Sequence, residues 1–99
     1  MTIKDIKQEL KTAIHPVAKS LHHGMGFKVL IMGFRKGMIL KEHKAHIRSK
    51  LTVVEGAVIY KEAHRVVELI QYDEVEIPVE ITHSVEAMED SLCILSQGE

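Results

Sequence analysis

Residues Gly37 to Gly56 read GMILKEHKAHIRSKLTVVEG, and the spacing of the two histidines in this stretch decides how the chain is read. His43 and His46 stand just before the apolar-alternating run SKLTVVE, which stops at Gly56. Successive side chains of a strand face opposite sides, so His43 and Ala45 share one face and His46 takes the other. A β-bulge between Lys44 and His46 would reset that alternation and bring His46 round to His43. Lys41 has the parity of His43, and its long stem is expected to reach the mouth of any enclosed space.

Outward from this stretch the chain keeps a β pattern. KVLIMGF, upstream, is apolar on both faces. Downstream, GAVIYKEA and HRVVELI flank a charged turn from Glu62 to Arg65. DEVEIP alternates strictly, with Val75 and Ile77 on one face and Glu74 and Glu76 on the other; HSVEAMED and SLCILSQ follow. Many short strands separated by turn signals indicate a sandwich or a closed barrel. No segment is long enough for helical crossovers, so the sheets are expected to be antiparallel.

Only the start departs from this. In TIKDIKQELKTAI, Ile3, Ile6, Leu10 and Ile14 fall at spacings of three and four, the stripe of one short helix. Thr2 and Asp5 resemble a capping box, and His15-Pro16 ends the segment because the residue before proline avoids the α region. Such a helix must dock to be stable. Residues 1–15 are therefore read as a helical segment packed on a single barrel formed by 16–99.

The whole chain has 99 residues with a formal net charge of −1, 45% apolar and 27% charged. That suits one small globular domain and argues against a phosphate-binding nucleic-acid partner. No run approaches a membrane span, and the charged start is no secretory signal, so a cytoplasmic protein is expected. The single cysteine, Cys93, lies in an apolar run and is read as a core residue. His22 and His23, in HHGMG, and His64, in KEAHR, are read as solvated turn residues.

From Gly37 to Ala87 the residues resemble the cupin superfamily. The first motif of that family, G-x5-H-x-H-x3-E-x6-G, is matched in length by Gly37, His43 and Gly56. The second, G-x5-P-x-G-x2-H-x3-N, is matched by Pro78 and His83. The departures are Ala45 and Ser49 at a histidine and a glutamate position, Tyr72 and Glu80 at two glycine positions, and Ala87 at the asparagine. The resemblance implies an all-β antiparallel cupin barrel (a jelly roll, or double-stranded β-helix) with a short N-terminal helix. It also implies a homodimer, and the two apolar faces of KVLIMGF agree with a need for cover outside the barrel.

In metal-binding cupins four side chains meet inside the barrel, and this chain keeps two of them, His43 and His83. With His46 added the set would suit a divalent metal such as Zn, Ni, Fe, Mn or Cu. Two function classes stand open at this point. One is a small-molecule-binding or catalytic barrel, of dioxygenase or isomerase type, working through a metal on His43 and His83, joined by His46 if a bulge turns it inward and otherwise leaving it a solvent-facing turn residue. The other is a metal-free pocket lined by Ser49, Leu51, Val53, Val75, Ile77 and Val85 with the two histidines, binding a small ligand or serving a structural or regulatory dimer.

Overall fold

Alternation of apolar and polar residues produces two antiparallel sheets laid face to face in the computed structural model, which describes residues 1–98. The helix α1 (Thr2–Leu10) is followed by nine strands: β1 (Val17–Gly24), β2 (Phe27–Phe34), β3 (Ile39–His43), β4 (Ser49–Glu55), β5 (Ala57–Glu62), β6 (Arg65–Ile70), β7 (Glu74–Ile77), β8 (His83–Ala87) and β9 (Ser91–Gly98). One sheet runs β1-β2-β9-β4-β7 and the other β3-β8-β5-β6. The expected jelly-roll barrel with an N-terminal helix is the observed fold. Val75 and Ile77 are buried while Glu74 and Glu76 are exposed, as their alternation requires.

Register stacks the inward side chains in layers across each sheet. At one end, Lys28, Gln97, Ser49 and Ile77 lie side by side on β2, β9, β4 and β7. Opposite them are His43, His83, Glu62 and Arg65 on β3, β8, β5 and β6. One layer deeper come Leu30, Leu95, Leu51 and Val75 on the first sheet, and Leu40, Val85, Tyr60 and Val67 on the second. Below these, Met32, Phe34, Val53, Val58, Leu69 and Cys93 form a closed apolar core. Burial pushes the Cys93 thiol up to about 12, so it stays protonated and inert.

KVLIMGF is apolar on both faces because α1 covers the outer one. Ile6, Ile31 and Leu92 are buried together, with Leu10, Val17, Val54 and Ile94 packed around them. Gly33 makes the close approach possible: a Cβ there would come within 2.5 Å of Ile6 Cγ2 and 2.6 Å of Leu10 Cδ1. The outer face over Ile31 and Gly33 is thus covered by the chain's own helix.

Two details of that helix differ from expectation. It ends at Leu10, not Ile14, because the Arg35 guanidinium donates to the carbonyls of Leu10 and Ala13 and satisfies the free helix end there. Ile14 is left exposed, as is much of Ile3. The Thr2–Asp5 capping box does not form, since Thr2 is already the first helical residue and no side chain caps the end. His22 and His23 belong to β1 rather than to a turn, though both are exposed as expected. His64 occupies its turn.

Candidate functional site

The polar layer at one end of the barrel holds the chemistry. His43 closes β3 and His83 opens β8; they are cross-strand partners, and their ring centroids are 4.2 Å apart. A bulge does exist in β3, but before His43 rather than after Lys44. Leu40 pairs with Val85 and His43 with His83, so three steps on β3 match two on β8. The extra residue puts Leu40 and His43 on the same inward face. The shared parity of Lys41 and His43 is broken by the same bulge, and Lys41 is exposed.

Backbone carbonyls orient both rings. His43 Nδ1 lies 2.8 Å from the Lys41 carbonyl and His83 Nδ1 lies 3.1 Å from that of Ile81. A carbonyl oxygen can only accept, so each Nδ1 carries the hydrogen, and the neutral form of either ring has its lone pair on Nε2. His83 is buried, and burial holds its pKa below the usual histidine value despite the Ile81 hydrogen bond. It is a neutral acceptor at pH 7.

Behind His83 stands a charged cluster that strand alternation alone did not reveal. Tyr60 stacks on the His83 ring at 5.6 Å and donates its hydroxyl to Glu62 Oε2 at 2.5 Å. Arg65 grips the same carboxylate through both its ends, at 2.6 and 3.3 Å, and its Nη2 also donates to the Glu76 carbonyl. The Arg65 hydrogen bond holds the Glu62 carboxyl below the usual carboxylate range. Burial, aided by Glu62, pushes the Tyr60 hydroxyl up to about 12. The carboxylate is thereby neutralised. The signal was present in the sequence as the inward parity of Tyr60, Glu62 and Arg65, but it needed the β5–β6 and β5–β8 registers to be seen.

A cavity of about 240 Å³ opens in front of the two imidazoles. His43, Ala45, Ser49 and His83 all border it, so the four positions that the motif resemblance singled out converge. Ala45 and Ser49 are buried there, and their small side chains leave the space that an imidazole and a carboxylate would fill. Gln97 donates to Ser49 Oγ at 3.0 Å, and Ser49 donates onward to the Ile47 carbonyl at 2.9 Å.

The motif's glycine positions also keep their backbone. Tyr72 has φ 74° and Glu80 has φ 63°, the left-handed conformation that favours glycine, beside Gly37 at 88° and Gly56 at 87°. At Tyr72 the turn closes through Asp73 N–H to the Ile70 carbonyl at 3.0 Å. The third position of such a turn takes positive φ. Tyr72 and Glu80 thus hold a backbone that favours glycine without being glycine.

Two expectations about the site are corrected. His46 does not join His43 and His83. It is exposed in the bend between β3 and β4, beyond the reach of strand alternation, with Nδ1 2.6 Å from Glu80 Oε1. Among the expected pocket residues only Ser49 and Ile77 border the cavity. Leu51, Val53, Val75 and Val85 face inward, but they are packed as core one or two layers deeper. Alternation gives the face of a side chain and not its depth.

The donor set does not fit a resident metal. A catalytic metal site uses about three protein ligands, and this cavity offers two Nε2 atoms beside a serine and a glutamine. Glu62 is committed to Tyr60 and Arg65. Among the described residues no group of three or more histidine, cysteine or acidic side chains is placed to hold a metal ion. No helix among them is long and apolar enough to cross a membrane.

No family model matches the chain, and no curated protein matches it. Solved structures do. A cupin superfamily protein from Desulfitobacterium hafniense superimposes with a TM-score of 0.80 at 10% identity, covering 86% of this chain and 78% of its own. KdgF from a Halomonas species gives 0.77 at 22% identity, covering 89% and 84%. A cupin 2 conserved barrel domain protein from Leptotrichia buccalis gives 0.80 at 26% identity, covering 89% of this chain and 43% of its own. Sheet order, motif backbone and these likenesses agree: the chain has the cupin fold.

Proposed function

We propose that this cupin binds a small molecule at the open end of its barrel, through the His43 and His83 imidazoles and without a resident metal. One observation carries the reading: His43, Ala45, Ser49 and His83 converge on one cavity, with two imidazoles kept and two side chains shortened. The cavity joins apolar walls, such as Leu30, Met32, Leu40 and Leu95, to a few polar atoms at one edge. That is the usual make-up of a ligand site. Its volume falls below the range of about 300–1,000 Å³ typical of drug-sized ligands, which favours a ligand of few atoms.

Inside, the Nε2 lone pairs accept hydrogen bonds from the ligand's hydroxyl or N–H groups. Tyr60, stacked on His83 and tied to Glu62 and Arg65, holds that ring in place. The test is a ligand-observed NMR screen of small polar compounds on the wild-type protein and on Ala45→Leu, whose larger side chain fills the space. Compounds that bind the first and not the second support the reading. Binding that survives the substitution contradicts it. Elemental analysis of purified protein is expected to find no stoichiometric metal, and a full equivalent that disappears in His43→Ala would overturn the metal-free assignment.

A further inference from the structure

Two sheets laid face to face have four edges, and in this chain three of them are protected. β6 and β7 close the seam on one side: they lie against each other, and Arg65 on β6 donates to the Glu76 carbonyl on β7. On the other side β3 is only five residues long, is bulged, and carries Lys41 and Glu42. Covering, shortness, bulges and charge all keep a strand edge from pairing with another chain. The fourth edge, β1, is less guarded. It runs for eight residues, and no described strand lies beyond it. Its one lysine, Lys19, is already held by Glu9 of α1 at 2.7 Å.

The regular part of this edge is short and bounded. Pro16, which has no N–H, precedes it, and the bulge between Ser20 and His22 ends it. Val17 and Lys19 face outward beside α1, whereas Ala18 is paired with Met32 and faces inward. Ala18 and Ser20 are exposed all the same. We infer that this edge pairs with the β1 edge of a second copy, antiparallel across a two-fold axis at Ala18, and that the chain is a homodimer. An axis normal to the sheet makes the pairing antiparallel and keeps the outer face of one copy continuous with that of the other. Each residue then meets one of its own parity.

Charge and chain chemistry select that register. An axis at Lys19 would set two lysines directly opposite each other, which is unfavourable. An axis at Ala18 brings two small side chains together and places Val17 of each copy opposite the partner's Lys19, whose charge Glu9 of its own helix offsets. Pro16 then falls opposite the partner's Ser20, so proline and bulge end the ladder at the same points on both copies. The N–H and C=O groups that β1 turns away from β2 gain partners, and the two-fold makes each contact twice. A foreign peptide strand would be held by main chain alone, because Ala18 and Ser20 offer no pocket to select its side chains.

Molar mass of the full chain against concentration, by sedimentation equilibrium, tests the inference. The wild type is expected to pass from the monomer mass toward twice that value. Ala18→Lys and Ala18→Glu each set like charges at the axis and are expected to weaken the dimer about fivefold. Their equimolar mixture is expected to recover the loss, since opposite charges then meet, and a misfolded variant would not recover. Amide exchange of Val17 to Ser20, expected to slow as wild-type concentration rises, gives the same answer without any substitution. A monomer mass at every loading up to about 1 mM would overturn the dimer. Dimerisation undiminished in both variants, or no gain on mixing them, would overturn the β1 assignment and move the contact elsewhere, such as the exposed Ile39, Val66 and Ile70 of the other sheet.

Discussion

The two ends of this barrel are made from the same alternating strands and have opposite characters. At the closed end Phe34, Val53, Val58, Leu69 and Cys93 are almost fully buried and leave no space. At the open end two histidines, an alanine, a serine and a glutamine border a cavity whose remaining walls are mainly apolar. Parity sets which way a side chain points, whereas its size and polarity in each layer decide whether the layer becomes core or site. The closed end carries stability, and the open end is free to carry binding.

The largest effect should come from the closed end. Phe34→Ala removes a fully buried ring and is expected to cost about 3–5 kcal/mol in chemical denaturation. A loss below ~1 kcal/mol would mean that this layer is not packed, and the contrast between the ends would fail. Next in size is Tyr72, exposed and held at positive φ where the resembling motif has glycine. Tyr72→Gly should raise stability by up to about 1 kcal/mol, strain relief exceeding the added chain entropy, and a loss of stability would show that no strain is stored there.

Ala45→Leu sharpens the contrast directly. In a packed layer the added carbons cost roughly 1–3 kcal/mol. Against the cavity the change in midpoint should stay within about 1 kcal/mol while binding disappears. If Ala45→Leu destabilises as strongly as Phe34→Ala, the open end is not open.

Charge at the mouth gives a smaller, pH-dependent effect. Arg65 holds the folded Glu62 pKa below the ordinary value of 4.5. The unfolded chain therefore takes up that proton first as pH falls. The contribution of Glu62 is present above about pH 4.5 and fades as pH drops through its folded pKa. Glu62→Gln should lower stability at neutral pH and flatten the acid side of the pH–stability curve. An unchanged acid slope would remove Glu62 from the ion pair. Smallest of all is His46→Ala: the exposed contact with Glu80 should be worth no more than about 0.5 kcal/mol, and ligand affinity should not move. A loss of affinity would return His46 to the site.

Much of this contrast was legible in the sequence. The motif spacing predicted the fold and the meeting of His43 with His83, and alternation alone oriented Val75 and Ile77. Alternation does not locate bulges, since an extra residue is a backbone event with no required side chain. For that reason the irregularity at Lys41–Glu42 was not foreseen, and Lys41 was given the face of His43. Depth was hidden too: Leu51, Val53, Val75 and Val85 read as lining because layers emerge only from register. The Tyr60–Glu62–Arg65 cluster depends on that register, and the His46–Glu80 contact on the path of two loops. The early helix end depends on Arg35, a residue twenty-five positions from Leu10.

Convergence of two orientationally fixed imidazoles at the open end is the claim on which site and ligand both depend. Side-chain ¹H–¹⁵N spectra of histidine-labelled protein near pH 7.5, with ring-to-ring NOEs, test it most directly. The expected result is a mutual NOE between the His43 and His83 rings, both in the Nδ1–H tautomer, with no such NOE to His46. Rings of His43 and His83 that show no NOE to one another, or an Nε2–H tautomer at both, would contradict the account.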